Sequence, residues 1–287
     1  MLKITKYKWW YIAVSALIII AGAVSMCTQG FNLAMDFTGG TELQINIGQQ
    51  YENTDIENMV KEVIGSNPSI QKSGDGTTVV IKTPELTNEN RQNIYSKIKE
   101  KYAIEDMNAA VISSENFSAV MGKELQKTAL VSSLVALALM LIYMTFRFEF
   151  LSGVANIIAL VHDVLVMLAV YTIFRVPVDL TFIAVILTIF GYSCNDTIIV
   201  FDRIRENLRK RKKETLAEVV DNSINQTLGR TISTALTTLF TVVVLYFVGV
   251  ESIKTFALPL IIGIISGAYS SIFIAAPLWE SMSKKSS

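Results

Sequence analysis

The chain has 287 residues, 51% hydrophobic and only 17% charged, with a mean hydropathy of +0.44; a soluble domain sits near a quarter charged, so an ordinary soluble enzyme is excluded. The net charge of zero conceals segregation: residues 31–126 hold 14 Asp/Glu against 8 Lys/Arg, a balance of −6, and the remainder carries +6. No polar segment presents a basic face, so a nucleic-acid partner is not expected.

Six stretches approach the roughly 20 apolar residues that cross a bilayer as helix: Trp9–Met26, Thr128–Phe146, Leu151–Phe174, Val178–Phe201, Thr231–Val248 and Phe256–Trp279. The first, preceded by Lys3, Lys6 and Lys8, is longer than a signal-peptide core and lacks a clean small-x-small cleavage pattern. It reads as a retained anchor.

The polar insert follows. Residues 41–47 alternate as a half-buried strand does. Thr54 is expected to cap a helix through Ile64, with Glu57 as its capping-box partner. Ile70 marks a short strand, Gly74-Asp75-Gly76 a turn, and Thr77–Lys82 another β-branched strand. Asn88 or Thr87 caps a helix to about Lys101, with Ile94 and Ile98 on one face, and Ala109–Ser113 is a last strand. The order β-α-β-β-α-β is ferredoxin-like, a fold that names no chemistry. It serves as a rigid spacer or as a surface for a partner or an unfolded chain.

Lysine and arginine mark the cytoplasmic side. Lys3, Lys6 and Lys8 precede the first span, Arg147 lies between the second and third, and Arg203, Arg205 and Arg209 to Lys213 link the fourth to the fifth. Lys284 and Lys285 follow the sixth. With six spans all fall on one side, so both termini are expected in the cytoplasm and the acidic insert outside. The basic run 209–213 also suits anionic lipid. The expected fold class is an α-helical membrane protein of six transmembrane helices, with the ferredoxin-like extracytoplasmic domain between helices 1 and 2. Its divisions are 1–8 (cytoplasmic), 9–28 (helix 1), 29–126 (outer domain), 127–201 (helices 2–4), 202–229 (basic loop), 230–280 (helices 5–6) and 281–287 (tail).

Ionisable groups within the spans are the informative residues, because a charge at mid-bilayer costs ~3 kcal/mol even on insertion scales. Span four carries Asn195, Asp196 and Thr197, with Tyr192, Asp196 and Arg203 close to one helical face. Span three carries His162 and Asp163, and span five opens on Asn225-Gln226-Thr227 followed by Arg230. A carboxylate, an arginine and polar neighbours on adjacent helices are the parts of a proton relay. A low dielectric disfavours the charged carboxylate and a nearby guanidinium favours it, so relative movement of Arg and Asp would switch proton affinity.

Other marks have structural readings. Asp202 and Arg203 lie at a span end as interface anchors, and His162 can simply hydrogen-bond across helices. Arg230 belongs either to the relay or to the cytoplasmic surface. Gly263 and Gly267 are spaced as a helix-packing face, while Pro259 and Pro277 are expected to bend or end span six. Cys27 and Cys194 offer neither a disulfide framework nor a metal pair.

At the run 191–207, Gly-Tyr-Ser-Cys-Asn-Asp-Thr-Ile-Ile-Val-Phe-Asp-Arg-Ile-Arg-Glu-Asn, the chain resembles the SecF family of the bacterial Sec translocase. Asp36-Phe37-Thr38-Gly39-Gly40-Thr41, His162-Asp163-Val164 and residues 225–231 support the resemblance, which covers essentially the whole chain. It implies a six-span half of a resistance-nodulation-division-like fold in the bacterial cytoplasmic membrane. The other half would be SecD, and the proton-motive force would help move preproteins through the SecYEG channel after SecA has acted. By position Asp196 matches the family's proton-carrying acid and Arg230 its essential arginine, with Asn195, Thr197, His162 and Asp163 beside them. Asp36, Phe37, Gly39 and Gly40 match the motif after helix 1. Cys194 stands where Leu is more usual. The implied partners are SecD, SecYEG, YidC, unfolded preprotein and membrane lipid. No enzymatic activity, metal or cofactor is expected. The coupling ion is H⁺, with Na⁺ as the alternative, because a carboxylate with Asn and Thr neighbours can hold either. Two other readings remain: half of a small-molecule or lipid exporter of the same superfamily, and an intramembrane hydrolase using Asp163 and Asp196 as a dyad.

Overall fold

The computed structural model describes residues 2–73, 76–249 and 251–286, so Gly74 and Asp75 of the expected turn lie outside the described residues. The chain is mostly helical and divides into two compact units, residues 33–128 and residues 1–32 with 129–287.

The smaller unit opens with a single helical turn, α2 (Met35–Thr38), and strand β1 (Gly40–Asn46). Helix α3 (Asn53–Ile64), strands β2 (Ser69–Ser73) and β3 (Thr78–Thr83), helix α4 (Asn88–Tyr102), the turn α5 (Met107–Ala110) and strand β4 (Val111–Phe117) follow. The sheet order is β2-β3-β1-β4 with every neighbour antiparallel. Alternation along β1 and β3 turns Leu43, Ile45, Val79 and Ile81 to one face, where they form a core with Ile56, Val60, Ile94 and Ile98 of the two longer helices.

Two local expectations change here, and a third is narrowed. Thr54 does not cap α3: Glu52 is the extended residue before the helix, so Thr54 is already helical and no capping box forms with Glu57. The α4 cap is Thr87, whose hydroxyl accepts from the Asn90 amide at 3.2 Å. The last strand starts two residues late because the Asp106 carboxylate accepts from the amides of Asn108 and Ala109, closing α5 first.

The larger unit holds α1 (Lys8–Gln29), the body of α6 (Ala119–Arg147), α7 (Phe150–Ile173), α8 (Leu180–Lys210), α9 (Leu216–Val248), α10 (Glu251–Ser270), a π-helical turn (Ser271–Ala275) and α11 (Ala276–Ser286). Among the described residues, six helical segments are long and apolar enough to cross a membrane. Several outrun their apolar cores. The stretch 202–229, expected as a loop, is largely helical: α8 runs to Lys210 and α9 starts at Leu216 behind a Thr215/Glu218 capping box. Pro259 lies inside α10 and Pro277 in α11, so neither ends the helical path. The interruption is the π turn, which widens the backbone spiral just before Pro277.

Close approach between helices rests on glycine. A Cβ on Gly22 of α1 would stand 2.3 Å from the Ala169 Cβ of α7, and one on Gly263 of α10 2.5 Å from Ile189 Cγ1 of α8. Small residues at contact points let membrane helices pack where apolar area alone supplies no drive.

Candidate functional site: a polar cluster between α7, α8 and α10

Asp163 of α7 is fully buried among apolar helices, and its two carboxylate oxygens are saturated. Ser266 Oγ donates to Oδ1 at 2.7 Å; Ser193 Oγ and Ser270 Oγ donate to Oδ2 at 2.7 and 2.9 Å. His162 Nδ1 lies 3.2 Å from Oδ1, its ring stacked on Tyr269 at 6.0 Å between centroids. One acid thus ties three helices with hydroxyls from two of them. Hydrogen bonds to a charged group are worth ~1.5–3 kcal/mol each and replace the water that burial removes.

The cluster extends one turn along α8. Thr197 Oγ1 and Ser271 Oγ are 2.9 Å apart, and the Ser271 hydroxyl also reaches the Ser193 carbonyl at 3.2 Å. Ser271 is the first residue of the π turn, so the irregular backbone begins where this hydroxyl reaches α8. π-bulges concentrate at functional sites for this reason: they redirect side chains without ending the helix.

Asp196 differs from Asp163. It is 1% exposed, and its Oδ2 has no hydrogen-bond partner. A buried polar atom left unpaired costs about 1–3 kcal/mol, more if charged. Arg230 does not supply the partner: it is exposed on α9, and among the described residues no ion pair joins it to Asp196. Asn195, about 100° round the helix from Asp196, is exposed and lines an open groove of about 440 Å³ with Ala136, Met140 and Gly191. His162, Asp163 and Thr197 therefore join the cluster, Asp196 lies beside it, and Asn195 and Arg230 face away.

Two expected relay neighbours have other duties. Asn225 makes a two-way pair with the backbone of Leu2, at 3.0 and 2.9 Å. Gln226 Oε1 accepts from Arg203 Nε at 2.6 Å and Asn207 Nδ2 at 2.9 Å. Asp202 pairs with Arg147 at 2.9 Å. The serines were the residues that sequence reasoning passed over. Their signal was present in the four-residue spacings Ser193/Thr197 and Ser266/Ser270, the second interleaved with Gly263/Gly267. A Cβ on Gly267 would lie 3.0 Å from Ser193 Cβ, so the glycine face sets the distance at which the hydroxyls meet Asp163.

The motif after the first helix builds a turn. Gly39 (φ +78°) and Gly40 (φ +142°) adopt backbone conformations that side chains resist. A Cβ on Gly40 would also stand 2.5 Å from the Thr83 carbonyl oxygen. Phe37 of α2 is buried, and Asp36 sits in the first turn of that helix.

Residues 97–285 match the family described as protein export membrane protein SecD/SecF, C-terminal, and residues 24–50 match the SecD/SecF GG motif. The chain belongs to the SecD/SecF family. It is 38% identical over 282 residues to the protein translocase subunit SecF of Sebaldella termitidis, covering 96% of this chain and 90% of that one. To the SecDF of Thermus thermophilus it is 35% identical over 284 residues, 96% of this chain but 38% of that protein. The crystal structure of SecDF from Thermus thermophilus, described as a translocon-associated membrane protein, superposes with a TM-score of 0.83 at 34% identity. That match covers 99% of this chain and 38% of that one. The SecF likeness assigns the chain to protein export, a transport role. Gly39-Gly40 falls within the matched GG motif, and the Asp163–serine cluster lies wholly within the matched SecD/SecF segment.

Proposed function

We propose that the chain is the SecF half of a SecD–SecF unit that uses the proton-motive force to assist preprotein movement through the SecYEG channel after SecA has acted. The observation that carries this reading is Asp196, a buried acid in an apolar span with one oxygen unpartnered. A buried polar atom left unpaired calls for an explanation, and a role in taking up a proton is one. In this reading Asp196 takes and releases the proton, and Arg230 approaches it when helices of the SecD half complete the site. Thr197, His162 and Asp163 hold α8 against α7 and α10. The exposed Asn195 and Arg230 face the second half.

The acidic insert lies on the outer side of the bacterial cytoplasmic membrane, with both termini in the cytoplasm. The lysine and arginine distribution supports this. The antiparallel order β2-β3-β1-β4 and the alternating helices support a ferredoxin-like assignment of that insert. It offers the surface for the emerging chain, with YidC a further neighbour at the membrane. The role is proton-coupled transport without a bound cofactor, H⁺ being the ion. One proton crossing releases ~2.3 kcal/mol per 100 mV, and shifting a two-state element substantially takes a few kcal/mol. One or two protons per cycle suffice.

The test is export into vesicles containing SecYEG, SecA and SecD with this chain. Asp196→Asn should assemble with SecD and remove the stimulation that depends on the proton gradient. Undiminished stimulation by that variant would show that Asp196 plays no part.

A further inference from the structure

The N-terminal segment is fixed in a way that gathers lysines along one cleft. Both oxygens of the Asp221 carboxylate accept from Thr5, its amide at 2.8 Å and its hydroxyl at 2.9 Å, and Asn225 holds the backbone of Leu2. This docks residues 2–7 against α9 and closes one side of a cleft of about 680 Å³, the other walls being the 213–222 segment and α11. That volume is within the usual range for a small-molecule site.

The charges around it are sorted. Each carboxylate is engaged: Asp221 by Thr5, Glu218 by the amide and hydroxyl of Thr215, and Glu280 by Lys8 at 2.9 Å and by Lys284. Glu214 accepts from the Asn222 amide at 3.5 Å. Lys3, Lys6 and Lys213 line the same cleft, and none makes an ion pair within 4.0 Å or a side-chain hydrogen bond among the described residues, although Lys3 lies near enough to Glu218 to feel its charge. Lys6 only stands over its neighbour Tyr7, 5.6 Å from the ring. Immediately along the chain, Trp9 and Trp10 are 73% and 69% exposed at the start of α1, as interfacial aromatics are. Beyond them Leu17, Ile20 and Val24 continue an exposed apolar face.

We propose that this cleft binds the phosphodiester headgroup of an anionic phospholipid. Lys3, Lys6 and Lys213 contact the phosphate, Trp9 and Trp10 mark the headgroup depth, and the acyl chains run along the exposed face of α1. Three lysines lining one cleft can meet a phosphate as point charges, and lysine clusters beside a span attract anionic lipid. The site does not depend on the role given to Asp196, which lies on other helices.

The experiment uses the full chain in neutral detergent and reads binding of phosphatidylglycerol against phosphatidylcholine by native mass spectrometry and by a fluorescent-lipid titration. The expected result is selective retention of phosphatidylglycerol by the wild type. The triple variant Lys3→Gln/Lys6→Gln/Lys213→Gln should weaken it on the order of tenfold. The control triple Arg209→Gln/Lys210→Gln/Lys212→Gln removes the same charge from outside the cleft and, losing only the diffuse attraction of that basic run, should weaken retention by clearly less than the cleft triple. Equal losses in both triples would show diffuse attraction without a site and overturn the proposal. Displacement of the lipid by inorganic phosphate at matched concentration would also overturn it, by showing a free-anion site.

Discussion

Two buried acids one helix apart have opposite surroundings, and that contrast decides what each can do. Asp163 receives three hydroxyl donors and faces an imidazole nitrogen, whereas Asp196 leaves Oδ2 unpaired. The first is tied to its neighbours by hydrogen bonds, and the second keeps an acceptor without a donor. Asp163→Ala strands three serine hydroxyls, which can recover part of the loss by turning to their own helix carbonyls. A destabilisation of about 2–4 kcal/mol is expected. Asp163→Asn keeps an acceptor and should cost less. Thermal unfolding in mild detergent measures both, and a wild-type transition in Asp163→Ala would remove the anchor role. The acids themselves were legible in the sequence because charge at membrane depth is rare. Their partners were not: serine is common in membrane helices, and only the packed structure shows which hydroxyls converge.

Among the elements, the helices were located by hydropathy, but their ends were not. The extensions of α8 and α9 carry charged residues that are invisible to an apolar count, yet Arg203, Asn207 and Gln226 pair across those extensions and keep them helical. Likewise Thr54 gave a cap signal that the chain does not use, since Glu52 turns the backbone earlier. The glycines were read by spacing, and the structure separates those that matter. Gly22→Ala would force a methyl to 2.3 Å from Ala169 Cβ and 2.4 Å from its Cα, whereas a Cβ on Gly191 meets nothing within 4 Å. Gly22→Ala is therefore expected to lower the unfolding temperature of the isolated chain by several degrees, and Gly191→Ala to leave it unchanged. Equal behaviour of the two variants would contradict the α1–α7 contact.

For the molecule as a whole, the −6 segment read from charge alone corresponds closely to the unit 33–128, which has its own hydrophobic core. That unit should fold when excised. Within it Tyr51 is buried, its hydroxyl donating to the Thr78 carbonyl at 2.9 Å, and burial, with Tyr102 nearby, pushes its pKa up to about 12. The unfolded chain loses the phenol proton near pH 10 and the folded unit near pH 12. Stability is therefore full below pH 10 and falls as the pH rises through that window. Chemical denaturation of the excised unit between pH 9 and 12 should show this fall, and Tyr51→Phe should flatten it. A slope identical to wild type in Tyr51→Phe would assign the loss to another group.

In the proposed mechanism Asp196 carries the exchanged proton and Asp163 ties the helices around it together. The direct measurement is infrared difference spectroscopy of the reconstituted SecD–SecF pair as pH is lowered. The expected result is a protonated-carboxyl band that vanishes in Asp196→Asn and persists in Asp163→Asn. A band that survives in Asp196→Asn and is lost in Asp163→Asn would reverse the assignment and contradict the account.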